Sequence, residues 1–508
     1  MNDHPNLQER LGEYAASGAL PFHMPGHKRN MAAAPFLAPL GGGMDITEIE
    51  GFDDLHHARG ILREEMDRAA ALWGAKRTFF LVNGSSCGLL AAIYALGLGD
   101  RPGLGGRPGL GDRPGLGGGE AIVARNCHKS VYHGLELCGL TPRWLRPDWC
   151  APLGIWGSVP PAAVERALDE ARGAKFVLLT SPTYDGVLSD VAAIAALCHS
   201  RGVPLIVDEA HGAHLGFDGF PPGAVKLGAD IVIHSAHKTL PSLTQTALLH
   251  LGDRPGLGGR PGLGGNRVDA DAVERALGIF ETSSPSYLLL ASLSGCVRLL
   301  ERPDALAPWR EGLAAFDREI EGLEHLHVPN HGKWAEESPP LTRGASGVFG
   351  WDPSKVLIFG RDGFALMDAL RERFGIELEM SYAHCALALT GAGDSGESLT
   401  RLARALMALD GEWGGKCPPI PGPPPAFPPA RMGPKEALAA PFDVLPRSQA
   451  AGRVCAQYLW VYPPGVPLAV PGEELTPALL EQLIALTRGG AEVRSSPRGA
   501  AGTVRVVS

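Results

Sequence analysis

The chain has 508 residues, more than one hydrophobic core normally holds, so we expect two or three domains. Hydrophobic residues make up 45% and charged residues 20%, the balance of an ordinary globular protein. The formal net charge is −9 without a long Lys/Arg run, which argues against nucleic acid or an anionic membrane as a partner. No apolar signal or membrane segment is present, and the nine cysteines lack zinc spacing, so we expect a reduced, cytoplasmic protein with no metal.

From about residue 75 to 300, short apolar runs alternate with segments of helical periodicity. The runs predicted to be strands are 78–82, 121–125, 175–180, 204–207, 230–234 and 246–251. The runs at 176–179 and 205–207 are apolar at successive positions, which is typical of strands covered by helices on both faces. Helices are predicted between the strands, for example at 161–172 and 190–201. The alternation predicts an α/β fold with a mostly parallel sheet.

A second, smaller α/β portion is predicted beyond residue 310, with a strand at 355–359 and a helix at 363–374. Residues 416–430 are rich in proline, which predicts a semi-rigid linker. The predicted division is an N-terminal arm with a large domain (1–310), a small α/β domain (311–415), the linker (416–430) and a C-terminal domain (431–508).

Two segments, 101–119 and 253–265, repeat the motif RPGLGG. Proline and glycine at this density form neither helix nor strand. A glycine loop that holds a phosphate is one interpretation, but the prolines prevent these glycines from starting a helix. We favour the alternative, a tolerated surface insertion, because long insertions between elements cost little loop-closure entropy.

Acidic residues follow the predicted strand 204–207 directly, since Asp208 begins the string DEAH at 208–211. An acid at the end of a buried strand is poorly solvated unless it has a cationic partner. The alternative is a residue that caps a helix. A DEAH string also occurs in nucleotide-hydrolysing helicases, but these need a GxxxxGK(S/T) loop, and the sequence has none.

Lys238 follows the predicted strand 230–234 within the string HSAHKT. A lysine at a strand end is commonly an ordinary solvated residue. Ser235, His237 and Asp208 favour a chemical role, because parallel strands bring their carboxyl ends to one edge of the sheet. A desolvated lysine beside a cation has a lowered pKa, which the exchange of a Schiff base requires.

Two more strand ends carry polar motifs. The string NGSSCG at 83–88 precedes a predicted helix, and its backbone N–H groups could bind an anion or simply cap that helix. The string NCHKS at 126–130 offers His128, whose ring can stack on a flat ligand. A lysine, an acid, an anion site and a stacking ring are the groups that pyridoxal 5'-phosphate (PLP) needs, since its ring acts as an electron sink when the pyridine nitrogen is protonated.

These motifs resemble the bacterial ornithine/lysine/arginine decarboxylase family, PLP enzymes with an aspartate-aminotransferase-like fold. The matching segments are PFHMPGHK at 21–28, DITE at 45–48, DDLH at 53–56, NCHKS at 126–130, DEAH at 208–211, SAHKT at 235–239, TSSPSY at 282–287, YPPGVP at 462–467 and PGE at 471–473. The likeness covers nearly the whole chain outside the repeats. Without the additional N-terminal receiver-like domain of long members, the chain resembles the shorter, biosynthetic type.

The resemblance implies that Lys238 forms the Schiff base and that Asp208 is the partner of the pyridinium. His128 would stack on the cofactor ring, and His237 would lie beside the cofactor as a donor that returns a proton to the substrate α-carbon. His211 would lie near the phenolic oxygen of the cofactor or near the substrate. The cofactor phosphate would be held by Ser85, Ser86 and Ser235. Cys87 stands where the family usually has a hydroxyl, which puts one phosphate hydrogen bond in doubt.

The resemblance also implies a homodimer, or a higher oligomer of dimers, in which Thr282 and Ser283 reach the phosphate of the neighbouring subunit. The same polar residues could instead cap the helix predicted from 286 to 300, and both interpretations stay open.

The implied activity is decarboxylation of a basic amino acid in polyamine biosynthesis, with arginine giving agmatine first and lysine or ornithine next. A buried substrate cation needs a carboxylate partner, and Glu48, Asp54 and Glu473 are the candidates within the matched motifs. Two alternatives stay open. A PLP aminotransferase would share the Asp/Lys pair, and a catalytically inactive PLP-fold binding protein would retain Lys238 without turnover.

Overall fold

A computed structural model of the protein describes residues 5–98, 119–253, 268–332, 349–415, 420, 426–462, 466–488, 492–500 and 502–508. The predicted insertions at 101–119 and 253–265 lie outside the described residues apart from Gly119 and Asp253. Most of the predicted linker 416–430 and the turn at 463–465 lie outside them as well.

The described residues form α-helices, short 3-10 helices and strands in alternation. The α-helices are α1 Leu7–Ala16, α2 Ile61–Trp73, α3 Gly84–Gly97, α4 Lys129–Cys138, α5 Pro161–Glu170, α6 Val191–Ser200, α7 Ala236–Thr239, α8 Ala270–Phe280, α9 Tyr287–Leu300, α10 Ala307–Glu319, α11 Gly363–Phe374, α12 Gly396–Asp410, α13 Pro434–Ala439 and α14 Pro477–Arg488. The 3-10 helices are Pro35–Leu40, Gly42–Met44, Leu55–His57, Ile320–Gly322 and Arg447–Gln449. Among the described helices, none combines the length and the apolar character that a membrane span requires.

The strands are β1 Ala75–Leu81, β2 Glu120–Ala124, β3 Thr141–Leu145, β4 Trp149–Cys150, β5 Ile155–Trp156, β6 Val177–Thr180, β7 Val187–Leu188, β8 Leu205–Asp208, β9 Ile231–His234, β10 Ala247–Gly252, β11 Gly350–Trp351, β12 Lys355–Phe359, β13 Met380–Ser381, β14 Cys385–Leu389, β15 Phe442–Pro446, β16 Tyr458–Tyr462, β17 Pro467–Ala469, β18 Glu492–Ser496 and β19 Thr503–Val507.

The main sheet has seven strands in the order β1-β10-β9-β8-β6-β2-β3. Strands β9, β8, β6, β2 and β3 are parallel to their neighbours in this series, and β10 is antiparallel to both β1 and β9. The predicted α/β fold with a mostly parallel sheet is therefore confirmed. The parallel strands place their carboxyl ends at one edge, where short loops can gather polar side chains.

Helices cover both faces of this sheet, as the apolar runs predict. Ile206 packs on the face covered by α3, α4 and α8, whereas Leu205 and Val207 pack on the opposite face against α5 and α6. These side chains are fully buried. Because successive residues alternate between the faces, a strand covered on both sides must be apolar at every position.

A two-stranded sheet pairs β4 with β5, and three further sheets lie in the C-terminal half of the chain. The small sheet β12-β14-β13 is antiparallel, and beyond it lie the sheets β17-β16-β18 and β15-β19. Strand β11 pairs with β7 and so joins this half to the large domain. The predicted boundaries at 310, 415 and 430 stay a prediction.

A polar chain crosses the otherwise apolar interior of the main sheet. The Thr78 hydroxyl lies 2.8 Å from His250 Nδ1, His250 Nε2 lies 3.1 Å from His234 Nδ1, and His234 Nε2 lies 2.8 Å from Glu209 Oε2. All four side chains are buried, and the Trp73 ring packs against both imidazoles. Every bond is satisfied when both rings are neutral and each donates toward Glu209.

Candidate active site at the carboxyl edge of the main sheet

The acid and the lysine predicted from the sequence lie at the ends of neighbouring parallel strands. Asp208 is the last residue of β8 and lies beside Ile233 of β9. Strand β9 ends at His234, and the short helix α7 that follows carries Lys238. The chain therefore brings these two groups to one edge of the sheet although thirty residues separate them.

Burial controls the charge state of this pair. Asp208 is 2% exposed, and its Oδ1 accepts a hydrogen bond of 3.2 Å from the Ala210 N–H. Burial raises the pKa of Asp208, while the charge of Lys238 opposes the shift. Burial likewise lowers the pKa of Lys238, against the opposing charge of Asp208. Burial therefore opposes the charged form of each group, and a cationic ring would give Asp208 a fixed partner.

His211 is in direct contact with the lysine. Its Nε2 lies 3.0 Å from Lys238 Nζ, and its ring packs edge-on against Tyr184. Burial lowers the pKa of His211 well below its ordinary value, and Lys238 lowers it further, so the ring is neutral. When Nε2 accepts from Lys238, Nδ1 carries the proton, and Nδ1 is buried with no hydrogen-bond partner among the described residues. It is therefore available to donate to a bound ligand.

His128 begins the segment that caps α4 after strand β2. Its Nδ1 accepts from the Ser130 N–H at 3.3 Å and lies 2.8 Å from Ser130 Oγ. Burial, and next the charge of Lys238, lowers the pKa of His128 to about 4. The ring is therefore neutral and fixed in rotation, which suits a group that stacks on a flat cofactor.

His237 is half-buried beside Lys238. Its Nδ1 lies 2.8 Å from the Thr246 carbonyl oxygen, so Nδ1 carries a proton and donates to it. Burial lowers the pKa of His237. A neutral ring in this tautomer has an acceptor at Nε2, and it needs a second proton before it can act as the donor predicted from the sequence.

The candidate phosphate site lies at the N-terminus of α3. Ser235 Oγ donates to Ser85 Oγ at 2.8 Å, and the Thr282 N–H donates to Asn83 Oδ1 at 3.0 Å. Ser86 lies in the same first turn of the fourteen-residue helix. The ends of β1 and β9 and the loop before α9 therefore meet where a helix presents free N–H groups, which favours an anion.

Cys87 and Ser283 contribute little to this cluster. The Cys87 side chain is 4% exposed, and burial raises the pKa of its thiol, so the group stays a neutral, weak donor. Ser283 is exposed in the structure.

The polar groups at this edge fit PLP. At this edge, four of the buried side-chain atoms that have no hydrogen-bond partner among the described residues are Asn126 Oδ1, Thr180 Oγ1, His211 Nδ1 and Thr239 Oγ1. All four follow or end strands that lead to the Asp208/Lys238 pair. Buried polar atoms are rarely left unpaired, so a cofactor with a phenolic oxygen, a ring nitrogen and a phosphate suits this edge.

Glu48 and Asp54 lie beside the segment 282–287. Asp54 accepts from the His56 N–H at 2.9 Å and lies 3.0 Å from His57 Nδ1, so it caps a 3-10 helix. His56 Nε2 lies 2.8 Å from the Thr282 carbonyl oxygen, and the charge of Glu48 acts on Tyr287. Both carboxylates are thus grouped with the residues predicted to reach a neighbouring subunit.

Glu473 is bound by a guanidinium within the chain. Its Oε2 lies 3.2 Å from Arg125 Nη2 and accepts the Val470 N–H at 2.9 Å, with both charged side chains almost fully buried. Arg125 also donates to the Pro467 carbonyl oxygen. The pair anchors the C-terminal region to the end of β2, and it neutralises the carboxylate that the sequence offers as a candidate for recognising the substrate.

The sequence motifs do not include Glu379, an exposed residue just before β13. The Tyr184 hydroxyl donates to Glu379 Oε1, and the charge of Glu379 acts on Lys238. Glu379 also lines a cleft of about 620 Å³ together with Glu377, Asp394 and Glu397. No local pattern marks this residue, because its partners lie more than 140 residues away in the sequence.

Glu281 is a second acid outside the predicted set. It is 8% exposed, and its Oε1 accepts from the Val82 N–H at 2.6 Å, directly before the candidate phosphate site. Burial raises the pKa of Glu281 from about 4.5 to about 7, although the N–H groups of Val82 and Asn83 oppose the shift.

Comparison with known proteins identifies the family. The family model described as "Orn/Lys/Arg decarboxylase, major domain" matches residues 5–101 and 115–314, and the model of the C-terminal domain of that family matches residues 425–492. The chain therefore belongs to the Orn/Lys/Arg decarboxylase family, as the sequence motifs predict.

Relatives and solved structures agree with this membership. An arginine decarboxylase of Halalkalibacterium halodurans is 33% identical over 97% of this chain and 96% of the relative. An arginine decarboxylase of Bacillus subtilis is 32% identical over 100% and 99% of the two chains. The solved lysine decarboxylase A from Pseudomonas aeruginosa superposes with a TM-score of 0.79 at 21% identity, over 99% of this chain and 80% of that one, which confirms the fold.

We expect Glu281 to make stability depend on pH near neutrality. The folded carboxyl takes up a proton near pH 7, whereas the unfolded one does so near pH 4.5. The contribution of Glu281 to the free energy of unfolding is therefore complete below about pH 4.5 and is lost as the pH rises through about 7. Relative to Glu281→Gln, the free energy of unfolding of the natural chain should rise by roughly 2–3 kcal/mol between pH 8 and pH 5.

Urea unfolding of both chains at several pH values measures this difference. Asp410→Asn is the control, because backbone N–H groups lower the pKa of Asp410 despite its burial, which confines its titration to more acidic conditions. A Glu281→Gln difference that stays constant from pH 8 to pH 5 would contradict the assignment.

Proposed function

We propose that the chain is a PLP-dependent arginine decarboxylase that releases CO2 from arginine and forms agmatine. The observation that carries the proposal is the buried Asp208 at the end of β8 beside the partly buried Lys238 just after the adjacent parallel strand β9, with neutral His128 and His211 beside them. Full-length relatives named arginine decarboxylase favour arginine over lysine and ornithine. The eight described cysteines are free thiols, which supports a reducing cytoplasm.

Each residue has a defined task in this proposal. PLP supplies an electron sink for the bond electrons that remain when CO2 leaves. Lys238 would hold the cofactor, and burial lowers its pKa, which favours the neutral amine that exchange with substrate requires. Asp208 keeps a proton on the pyridine nitrogen, and His128 presents a neutral ring face. Nδ1 of His211 donates to an oxygen of the cofactor or the substrate.

The phosphate and the proton transfers are assigned to neighbouring groups. We propose that Ser85, Ser86 and Ser235 hold the phosphate with the N–H groups of α3. His237 faces the Thr246 carbonyl through Nδ1, so its Nε2 would take up a proton and then deliver it to the substrate α-carbon. Because burial lowers the pKa of His237, its protonated ring gives up this proton more readily than an ordinary histidine does.

CO2 release tests the proposed activity. We expect arginine to be decarboxylated faster than lysine or ornithine, with turnover dependent on added PLP. Lys238→Ala should lose the visible absorption of bound PLP and nearly all turnover, because it removes the amine that we propose forms the Schiff base. The matched control is Lys226→Ala, an exposed lysine of the same domain, which should stay yellow and active. Activity retained in Lys238→Ala would refute the assignment.

We propose Glu379 as the carboxylate of this chain that recognises the distal cation of the substrate. Its charge acts on Lys238, and it lines a cleft with three other acids. Glu473 is paired with Arg125 instead. Glu48 and Asp54 remain candidates at the site of a neighbouring subunit, since they lie beside Thr282 and Tyr287.

Two substitutions by glutamine distinguish the proposed role of Glu379 from that of Glu473. Glu379→Gln should raise the KM for arginine about tenfold, the effect of losing roughly one charge-assisted hydrogen bond, with little change in the free energy of unfolding. Glu473→Gln should leave KM within about twofold but lower the free energy of unfolding by about 3 kcal/mol, because it leaves Arg125 buried without its partner. Steady-state kinetics and urea unfolding of both variants measure these quantities. The opposite pattern would reverse the assignments.

We propose that the protein is a homodimer in which each chain completes the site of its partner. The N-terminal arm exposes Leu20, Phe22, Met24, Phe36 and Leu40, with Phe22 at 93% exposure. Apolar side chains so concentrated on one segment are typical of a covered interface. Further along the chain, Asp53 contacts the segment 282–287, because the Tyr287 hydroxyl donates to the Asp53 carbonyl oxygen at 2.6 Å. A second copy that covers the arm would therefore also meet the segment 282–287.

Complementation tests this arrangement. Lys238→Ala lacks the Schiff base, and Thr282→Ala/Ser283→Ala should bind the phosphate poorly. If sites are shared, one of the two sites in each mixed dimer has both an intact lysine and an intact partner segment. In a one-to-one mixture with free exchange, about a quarter of all sites should then be active. Mixing that restores no activity would show that the segment serves its own chain.

A further inference from the structure

A buried charge cluster lies at the start of β12, outside every sequence motif. Asp352, Ser354 and Lys355 have no exposed surface. The Lys355 ammonium donates to Asp352 Oδ2 at 3.2 Å, to Ser354 Oγ at 2.9 Å and to the His211 carbonyl oxygen at 3.4 Å. All three of its donors are therefore used, and one of them reaches the segment that follows Asp208.

The carboxylate of Asp352 is equally occupied. It accepts from His214 Nε2 at 3.0 Å, from the Ser354 N–H at 2.9 Å and from Ser354 Oγ at 2.8 Å, in addition to Lys355. Burial of an ion pair rarely adds net stability, because desolvation offsets the attraction. A reason other than stability is therefore needed for two charges in this interior.

The side-chain hydrogen bonds that Asp352 and Lys355 make to the large domain fall on one loop. Lys355 binds the backbone of His211 and Asp352 binds the ring of His214, so the loop after β8 is held at two points three residues apart. Between them the chain turns, and the His211 ring reaches Lys238 Nζ at 3.0 Å. No residue of the cluster itself touches Lys238 among the described hydrogen bonds.

The cluster can pack here because residue 186 is a glycine. Its φ is 101°, and a Cβ built on it would lie 2.8 Å from the Lys355 side chain. Its carbonyl oxygen accepts from the Asp352 N–H at 2.8 Å. A side chain at residue 186 would both clash and strain the backbone, so the loop after β6 is shaped to let Lys355 approach His211.

We infer that Asp352 and Lys355 are positioning residues for His211, which they hold against Lys238 from the far side of the loop. This inference rests on the proposed roles of Lys238 and His211. Burial is the largest cause of the lowered pKa of Lys238 and of His211, and the charge of Lys355 also lowers both.

A double-mutant cycle tests whether Lys355 acts through His211. The measurements are the rate at which added PLP gives visible absorption with the cofactor-free chain, kcat for arginine, and the free energy of unfolding. Lys355→Met should slow the first two about tenfold in the natural background, as expected for a misplaced group at the site. In a His211→Ala background, Lys355→Met should lower the rate of PLP uptake and kcat by less than about twofold, because the residue that Lys355 positions is absent. The loss of stability should be equal in both backgrounds.

Controls separate this role from general weakening of the fold. Asp410 accepts the N–H groups of Glu324, His325 and Leu326, away from the loop after β8. Asp410→Asn should therefore lower stability without slowing PLP uptake. If Lys355→Met does not fold, Ser354→Ala removes one acceptor of the ammonium and should show the same non-additivity at smaller size.

The outcomes are distinguishable. Equal tenfold losses in both backgrounds, or a tenfold loss in Asp410→Asn, would overturn the positioning role while the natural chain still takes up PLP and decarboxylates arginine. A natural chain that gives no visible absorption with PLP would overturn the proposed function and the positioning role together.

Discussion

The proposed active edge depends on one constraint: Asp208 is almost fully buried, and the partly buried Lys238 beside it carries the charge that opposes the shift of its pKa. A lone carboxylate or ammonium is costly there, and each group moves the other toward a usable charge state. The helices on both faces of the sheet bury its strands, and the neighbouring His128 and His211 are neutral. A cationic ring bound beside Asp208 would therefore meet a preorganised carboxylate rather than a hydrated one.

The sequence predicts elements best where local signals agree with burial. Helix α11 has the bounds predicted for it, because Asp362 caps its start and Gly375 adopts a left-handed conformation at its end. Strand β8 was expected from residues that are apolar on both faces. Strand β3 was not expected, because it is an edge strand that contains Pro142 and Arg143 and is only partly buried.

The same division holds for the site. That Asp208, Lys238 and His128 lie together at one sheet edge can be predicted, because each lies at or just after the end of a strand and belongs to an ordered motif. Glu379 and Lys355 were not, since a solitary acid or lysine near a short strand has no local feature that distinguishes it from a solvated residue. The proposed roles of Glu379 and Lys355 rest on contacts with residues more than a hundred positions away in the sequence, which only the folded chain brings together.

The chain of polar side chains from Thr78 to Glu209 has a direction, and this has a consequence for assembly of the sheet. Each bond points its hydrogen toward Glu209, so the bond dipoles add and stabilise the carboxylate. Valine, isoleucine and leucine would tolerate a two-residue slip between β1, β10 and β9 with little loss of packing. A slip between β1 and β10, or between β10 and β9, would break the Thr78–His250 or the His250–His234 hydrogen bond and leave buried polar atoms unpaired, so hydrogen bonding fixes a strand register that apolar contacts alone would leave degenerate.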